Sequence, residues 1–282
     1  MIQQVNFFIT KIFDVILYPF GFLGDFWAIL FLSVLISLIV LVIFKYISSP
    51  TRIKDTKNKI KSSILAIRLY KDFWRVITGS FLKSLFYTMK YFMLNIGPVL
   101  IIIPILFPIF VQMDIRYGMR PFEPDDIFVF KVRLNSDLKD IKIRLLDSDH
   151  FKPVMNPVFI NAYEDDERTI PIREVNWKLK CLKPDRTDIR VQVNRQVISK
   201  NLVIGKNPGS LSNKKMGKSS VGHFIYPAEK LIENAGPVDT LYLQYPAKSV
   251  SLLGLKAHWL IYHLILVIII VLALRKRFGV EF

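Results

Sequence analysis

Residues 48–74 read SSPTRIKDTKNKIKSSILAIRLYKDFW, a basic stretch with helical patterning. An apolar run stands on either side of it: WAILFLSVLISLIVLVIF from Trp27 to Phe44, and YFMLNIGPVLIIIPILFPIFVQ from Tyr91 to Gln112. A third run, HWLIYHLILVIIIVLAL, extends from His258 to Leu274. Each approaches the roughly 20 apolar residues that carry a helix across a bilayer, so three transmembrane helices are predicted. The chain has 282 residues, 52% of them hydrophobic, which suits a membrane part plus one modest soluble domain and argues against a plain soluble enzyme.

The formal net charge of +16 would fit a nucleic-acid binder if it were spread evenly. It is concentrated instead. Lys45, Arg52, Lys54, Lys57, Lys59, Lys61, Arg68, Lys71, Arg75, Lys83 and Lys90 face only Asp55 and Asp72 between the first two runs, and the chain closes on RKRFGVEF. Basic segments flanking membrane helices stay in the cytoplasm, so the charge excess is read as topogenic and no DNA partner is expected. The predicted topology is an inner-membrane, multi-pass protein with its N-terminus and residues 114–255 outside, in the periplasm of a bacterium, and its C-terminus in the cytoplasm.

The expected parts follow in order. Residues 1–25 form an amphipathic helix in the outer interface, with Val5, Phe8, Ile9, Ile12, Phe13 and Ile16 at helical spacing, and the N-terminus is expected to be retained because it lacks the features of a secretory signal. Span one is 26–45, a basic cytoplasmic helical hairpin 46–90, span two 91–113, an outer domain 114–255, span three 256–275 and a tail 276–282. In the hairpin, Ile53, Ile60, Ile64 and Ile67 share a helical face. Asp72 is the expected N-cap of a second helix with Trp74, Ile77, Phe81 and Leu85 on its apolar stripe, weakened at Gly79 and Ser80.

Beyond residue 114 the periodicity changes from 3.6 to 2. Residues 126–134 (DIFVFKVRL), 140–146 (DIKIRLL), 176–182 (NWKLKCL) and 188–193 (DIRVQV) alternate apolar and polar, and 196–205 and 239–246 are also strand-like. The fold class expected is an α-helical membrane protein with three transmembrane helices and a cytoplasmic hairpin, plus an extracytoplasmic all-β, Ig-like sandwich domain. Residues 205–220, GKNPGSLSNKKMGKSS, read as a long loop.

No catalytic constellation emerges, and neither enzyme activity nor a cofactor is expected. His150, His223, His258 and His263 are scattered, with the last two placed on different faces of one helix. The cluster Glu164, Asp165, Asp166 and Glu167 lacks calcium-loop spacing and reads as an exposed acidic turn. Cys181, the only cysteine, is expected to be a buried strand residue and excludes an internal disulfide.

The candidate site lies in the membrane part. Ser33, Ser37, Asn95 and Gln112 are polar groups that could line a weakly polar groove, although serines also bond back to their own helix. Pro98, Pro104 and Pro108 each remove a backbone donor and are expected to open span two locally. Lys54, Lys57, Lys59 and Lys61, with Ile60, Ile64 and Ile67, are the hairpin's candidate contacts. Three partners fit them: anionic membrane lipids, the ribosome or another acidic partner, and the hydrophobic segment of a client.

The order of these elements (outer amphipathic helix, span, basic cytoplasmic hairpin, span, later span) resembles the three-span core of the YidC/Oxa insertase superfamily. Residues 4–19, 27–44, 50–90, 91–112 and 258–274 carry the resemblance, about half the chain, through topology rather than a motif. It implies a membrane protein insertase or chaperone with a partly hydrated groove, a hairpin that recruits client or ribosome, and other membrane protein subunits as partners. The stretches NKIKSSILAIRLYKD, DIRYGMRPFEPDD and HWLIYHLILVIIIVLALRKRFGVEF are also similar to uncharacterised bacterial membrane proteins. The alternative is a non-enzymatic scaffold or assembly subunit of an inner-membrane complex that docks a periplasmic partner through its β-domain.

Overall fold

The computed structural model describes residues 2–136, 141–163, 171–205, 209–217, 220–232, 235–252 and 254–280. The acidic stretch 164–167 lies outside them. The chain divides into two compact units, Met1–Gly21 with Phe110–Trp259, and Phe22–Ile109 with Leu260–Phe282.

The second unit holds the apolar helices. α2 (Asp25–Ile47), α4 (Trp74–Met113) and α6 (Trp259–Phe278) are each long and apolar enough to cross a membrane. Between the first two lies α3 (Pro50–Leu69), begun by a proline at its first position, where the missing N–H costs nothing. Lys57 lies over the Tyr91 ring at 5.6 Å and Lys59 over the Tyr87 ring at 5.4 Å, so α3 and the start of α4 run antiparallel as a hairpin.

Two expectations change here. The hairpin's second arm and span two are one unbroken helix of 40 residues, and neither Gly79 nor the three prolines interrupt it. Pro98, Pro104 and Pro108 leave the carbonyls of Leu94, Leu100 and Pro104 without their helical donors, but the flanking bonds hold the axis together. The apolar stripe also faces elsewhere than expected. Ile77, Ser80, Ser84, Tyr87 and Tyr91 form the half-buried face of α4, while Trp74, Phe81 and Leu85 are exposed. On α3 the covered face runs through Ile53, Thr56, Ile60, Ser63 and Ile67, and Ile64 points outward.

In the first unit, α1 (Ile2–Leu17) precedes a short 3-10 turn, Tyr18–Gly21. The remainder is rich in antiparallel strands: β1 (Ile127–Leu134), β2 (Ile143–Leu145), β3 (Phe151–Pro153), β4 (Val158–Tyr163), β5 (Pro171–Cys181), β6 (Asp185–Val193), β7 (Gln196–Ile204), β8 (Lys214–Met216), β9 (Val238–Leu243), β10 (Ser249–Leu252) and β11 (Leu255–His258). One sheet has the order β3-β5-β1-β9-β8, with β4 also paired to β5; a second is β2-β6-β7; β10 and β11 form a hairpin. Six-residue α5 (Ser220–Ile225) lies between β8 and β9.

The two larger sheets share one core. Phe128, Phe130, Val132 and Leu134 of β1, Val175, Trp177, Leu179 and Cys181 of β5, and Leu241 and Leu243 of β9 meet Ile189, Val191 and Val193 of β6 and Ile198, Leu202 and Ile204 of β7. This is the alternation the sequence shows, each second residue turned inward. Tyr245 ties the layers together, its hydroxyl accepting from Val203 N at 3.0 Å. Asn194 turns β6 into β7 at φ 52°, a left-handed conformation that asparagine tolerates, and its N donates to Lys142 O at 2.7 Å. The expected loop 205–220 contains β8, and the expected third span begins later than residue 256 because Leu255–His258 pairs with β10. His258 is therefore a strand residue.

Cys181 is fully buried in β5, and burial pushes its thiol up to about 12. At neutral pH the reactive thiolate is scarce and enclosed. A maleimide is expected to label the native chain far more slowly than the unfolded chain, so labelling of this single thiol reads the opening of the β-rich part. Equal rates in both states would show that β5 is not enclosed.

Candidate functional site

In the second unit, the two serines of α2 point into the helix packing. Ser33 and Ser37 are 0% exposed. Ser33 Oγ donates to Ile29 O at 2.7 Å, and Ser37 Oγ to Ser33 O at 2.6 Å. Ser33 Oγ also lies 2.8 Å from Nδ1 of His263 on α6, itself buried. His263 is thus one of the residues that join α2 to α6, a role its isolated position in the sequence does not signal.

Asn95 is half-buried and donates from Nδ2 to Tyr91 O at 2.7 Å. Gln112 belongs to the first unit, where Nε2 donates to Thr10 Oγ1 at 3.1 Å. The four groove candidates are therefore not gathered by the second unit into a single lining: two are enclosed in α2, one bonds its own helix and one holds α1.

Gln112 is part of a clasp built on Arg116. The helix α4 ends in a π-turn, Asp114–Gly118, which lets Arg116 reach back. Its Nη1 donates to Gln112 O at 3.1 Å and to Gln112 Oε1, while Nη2 reaches Thr10 O at 3.2 Å and Asp14 Oδ1 at 2.5 Å. The guanidinium also lies over the Phe13 ring. Sequence reading missed this clasp because its members are about a hundred residues apart.

The first unit also buries an ion pair. Lys200 on β7 is 0% exposed, and its Nζ bonds Glu229 Oε1 and donates to Ser212 O at 2.8 Å. The second carboxylate oxygen of Glu229 accepts from Asn201 N at 3.2 Å. Burial pulls the lysine below its ordinary pKa, with Glu229 opposing the shift.

The hairpin presents two kinds of surface. Lys54, Lys59 and Lys61 are exposed and Lys57 is half-buried, its ammonium over the Tyr91 ring. On α4, Phe81, Leu82, Leu85, Phe86 and Met89 are each between 56% and 65% exposed. Basic and apolar surfaces thus occur together on the hairpin. Compared with protein families, characterised proteins and solved structures, the chain finds no match in any of the three.

Proposed function

We propose that this chain is a three-span membrane protein, non-enzymatic, that acts as a YidC/Oxa-like insertase or chaperone, receiving hydrophobic segments of client proteins on its cytoplasmic hairpin. The length and exposure of α4 carry this reading. At about 1.5 Å per residue its 40 residues extend about 60 Å, twice the roughly 30 Å hydrocarbon core. With residues 91–113 in the bilayer, residues 74–90 stand outside it and expose Phe81, Leu82, Leu85, Phe86 and Met89. An apolar row of that size outside lipid marks an interaction site. Phenylalanine and methionine side chains accommodate varied apolar partners.

The chemistry required is modest. The lysines of α3 hold the hairpin against anionic headgroups, and the apolar row of α4 shields a client segment from water. The same helix continues into the bilayer, so its lipid-facing side offers a continuous apolar route. The enclosed Ser33 and Ser37 play no part in this route; Ser37 bonds back to its own helix, and Ser33 meets His263 of α6.

A second reading rests on β4. Among the described residues this strand pairs with β5 alone, and Val158, Phe159 and Tyr163 are exposed on it. An open edge with apolar side chains suits docking of a partner, as a scaffold subunit with an Ig-like periplasmic domain would need.

Photo-crosslinkers at Phe86, Met89 and Phe159, in native membranes with stalled ribosome–nascent chains, separate the two. Adducts from Phe86 and Met89 to nascent membrane segments are expected, reduced about tenfold by Phe81→Ser with Leu85→Ser. Reversing Lys54, Lys57, Lys59 and Lys61 to glutamate is expected to weaken recruitment, with orientation checked because these charges set topology. Adducts confined to Phe159 and stable membrane subunits would overturn the insertase reading in favour of the scaffold.

A further inference from the structure

The basic tail is a built structure, not only a topogenic signal. Gly279 stands at φ 66°, Gly279 N donates to Lys276 O at 3.2 Å and Val280 N to Arg275 O at 3.0 Å. These two bonds are those of a Schellman cap, which ends α6 with a glycine in the left-handed region and turns the next side chain back onto the helix. Val280 is accordingly buried, in a cluster with Leu41 and Phe44 of α2 and Ile102 of α4.

That anchorage fixes Arg275 and Lys276 against one face of α3. Lys54, Lys57, Asn58 and Lys61, at helical spacings of three and four, line with Arg275, Lys276 and Val280 a cleft of about 350 Å³. Among the described residues no carboxylate lines it, and Lys54, Lys61, Arg275 and Lys276 form no ion pair. Five cationic side chains converging from two helices repel one another, and an anion between them relieves that repulsion. The rim is cationic with one amide, and the base is the apolar Val280.

We propose that this cleft binds the phosphate headgroup of one anionic phospholipid, with Val280 and the apolar helices beneath it receiving the start of an acyl chain. Basic pockets between the ends of membrane helices recognise such headgroups. The apolar base is what selects the lipid over free phosphate. The inference rests on α2 and α6 crossing a bilayer and is independent of client handling, so failure of the crosslinking experiment leaves it standing.

The test is native mass spectrometry of the full chain in detergent, titrated with dioctanoyl phosphatidylglycerol, dioctanoyl phosphatidylcholine or inorganic phosphate. One tightly held phosphatidylglycerol per chain is expected, not displaced by phosphate. Lys54→Gln, Lys61→Gln and Arg275→Gln together are expected to weaken it on the order of a hundredfold. Arg68→Gln, Lys71→Gln and Lys83→Gln remove the same charge elsewhere on the hairpin and are expected to leave affinity unchanged, while Lys54→Arg with Lys61→Arg retains binding and guards against misfolding. Equal binding of phosphatidylcholine, equal loss in both triple variants, or displacement by free phosphate would each overturn the proposal.

Discussion

Replacing Glu229 with glutamine is expected to destabilise the β-rich part by about 3–5 kcal/mol, because it strands the fully buried Lys200 ammonium without its counter-charge. Ser212 O still accepts from Nζ, but a neutral carbonyl does not replace a carboxylate. The double change Lys200→Met with Glu229→Leu removes both charges and is expected to restore most of the loss. Burial lowers the lysine's folded-state pKa, and in Glu229→Gln the opposing carboxylate is gone. The unfolded chain then binds more protons than the folded one between that lowered value and the ordinary lysine value of about 10.4. Stability of the single variant should therefore rise with pH across that window. Denaturant unfolding of the full chain in detergent, followed through Cys181 labelling, measures both effects. A loss below about 1 kcal/mol, or an equal loss in the double variant, would show that the pair does not carry its burial cost jointly.

Arg116→Met is expected to release α1 while leaving the sheets intact. The methionine keeps apolar contact with Phe13 but gives up the bonds to Asp14, Thr10 and Gln112, on the order of 2–3 kcal/mol for a guanidinium that is only 9% exposed. Amide exchange in Ile2–Leu17 should accelerate roughly 30- to 150-fold, with β1, β5 and β6 unchanged. Asp14→Asn should do much less, since Asp14 is half exposed and its ion pair is screened by water. Protection within about threefold of the parent chain in Arg116→Met would mean that apolar packing, not the clasp, holds α1.

Both changes act on residues whose types are visible in the sequence but whose partners are not. Lys200 stands in a strand-like run and Arg116 in a turn, and neither is near its acid in the chain. The same holds for the candidate site. Ser33 and Ser37 are readable as polar groups in an apolar helix, but α2 is apolar all round, so no periodicity says which side packs against α6. The packed structure decides that, setting Ser33 Oγ 2.8 Å from His263 Nδ1 and Leu41 and Phe44 against the end of α6.

The sequence by itself determined the features that depend on local spacing: three apolar stretches of membrane-crossing length, strands within 126–134, 140–146, 176–182 and 188–193 through their period of two, strand-like runs at 196–205 and 239–246, and the concentration of charge on the hairpin and tail. The tertiary structure alone decided the rest. It continued α4 through three prolines, turned Phe81 and Leu85 outward, paired β3, β4 and β8 with longer strands, and folded Val280 back so that Arg275 and Lys276 face α3. The physical reason is range. Helix and strand periodicity is set by neighbours within a few residues, whereas a three-residue strand, a buried ion pair or a cationic cleft exists only where separate segments supply its hydrogen bonds and charges.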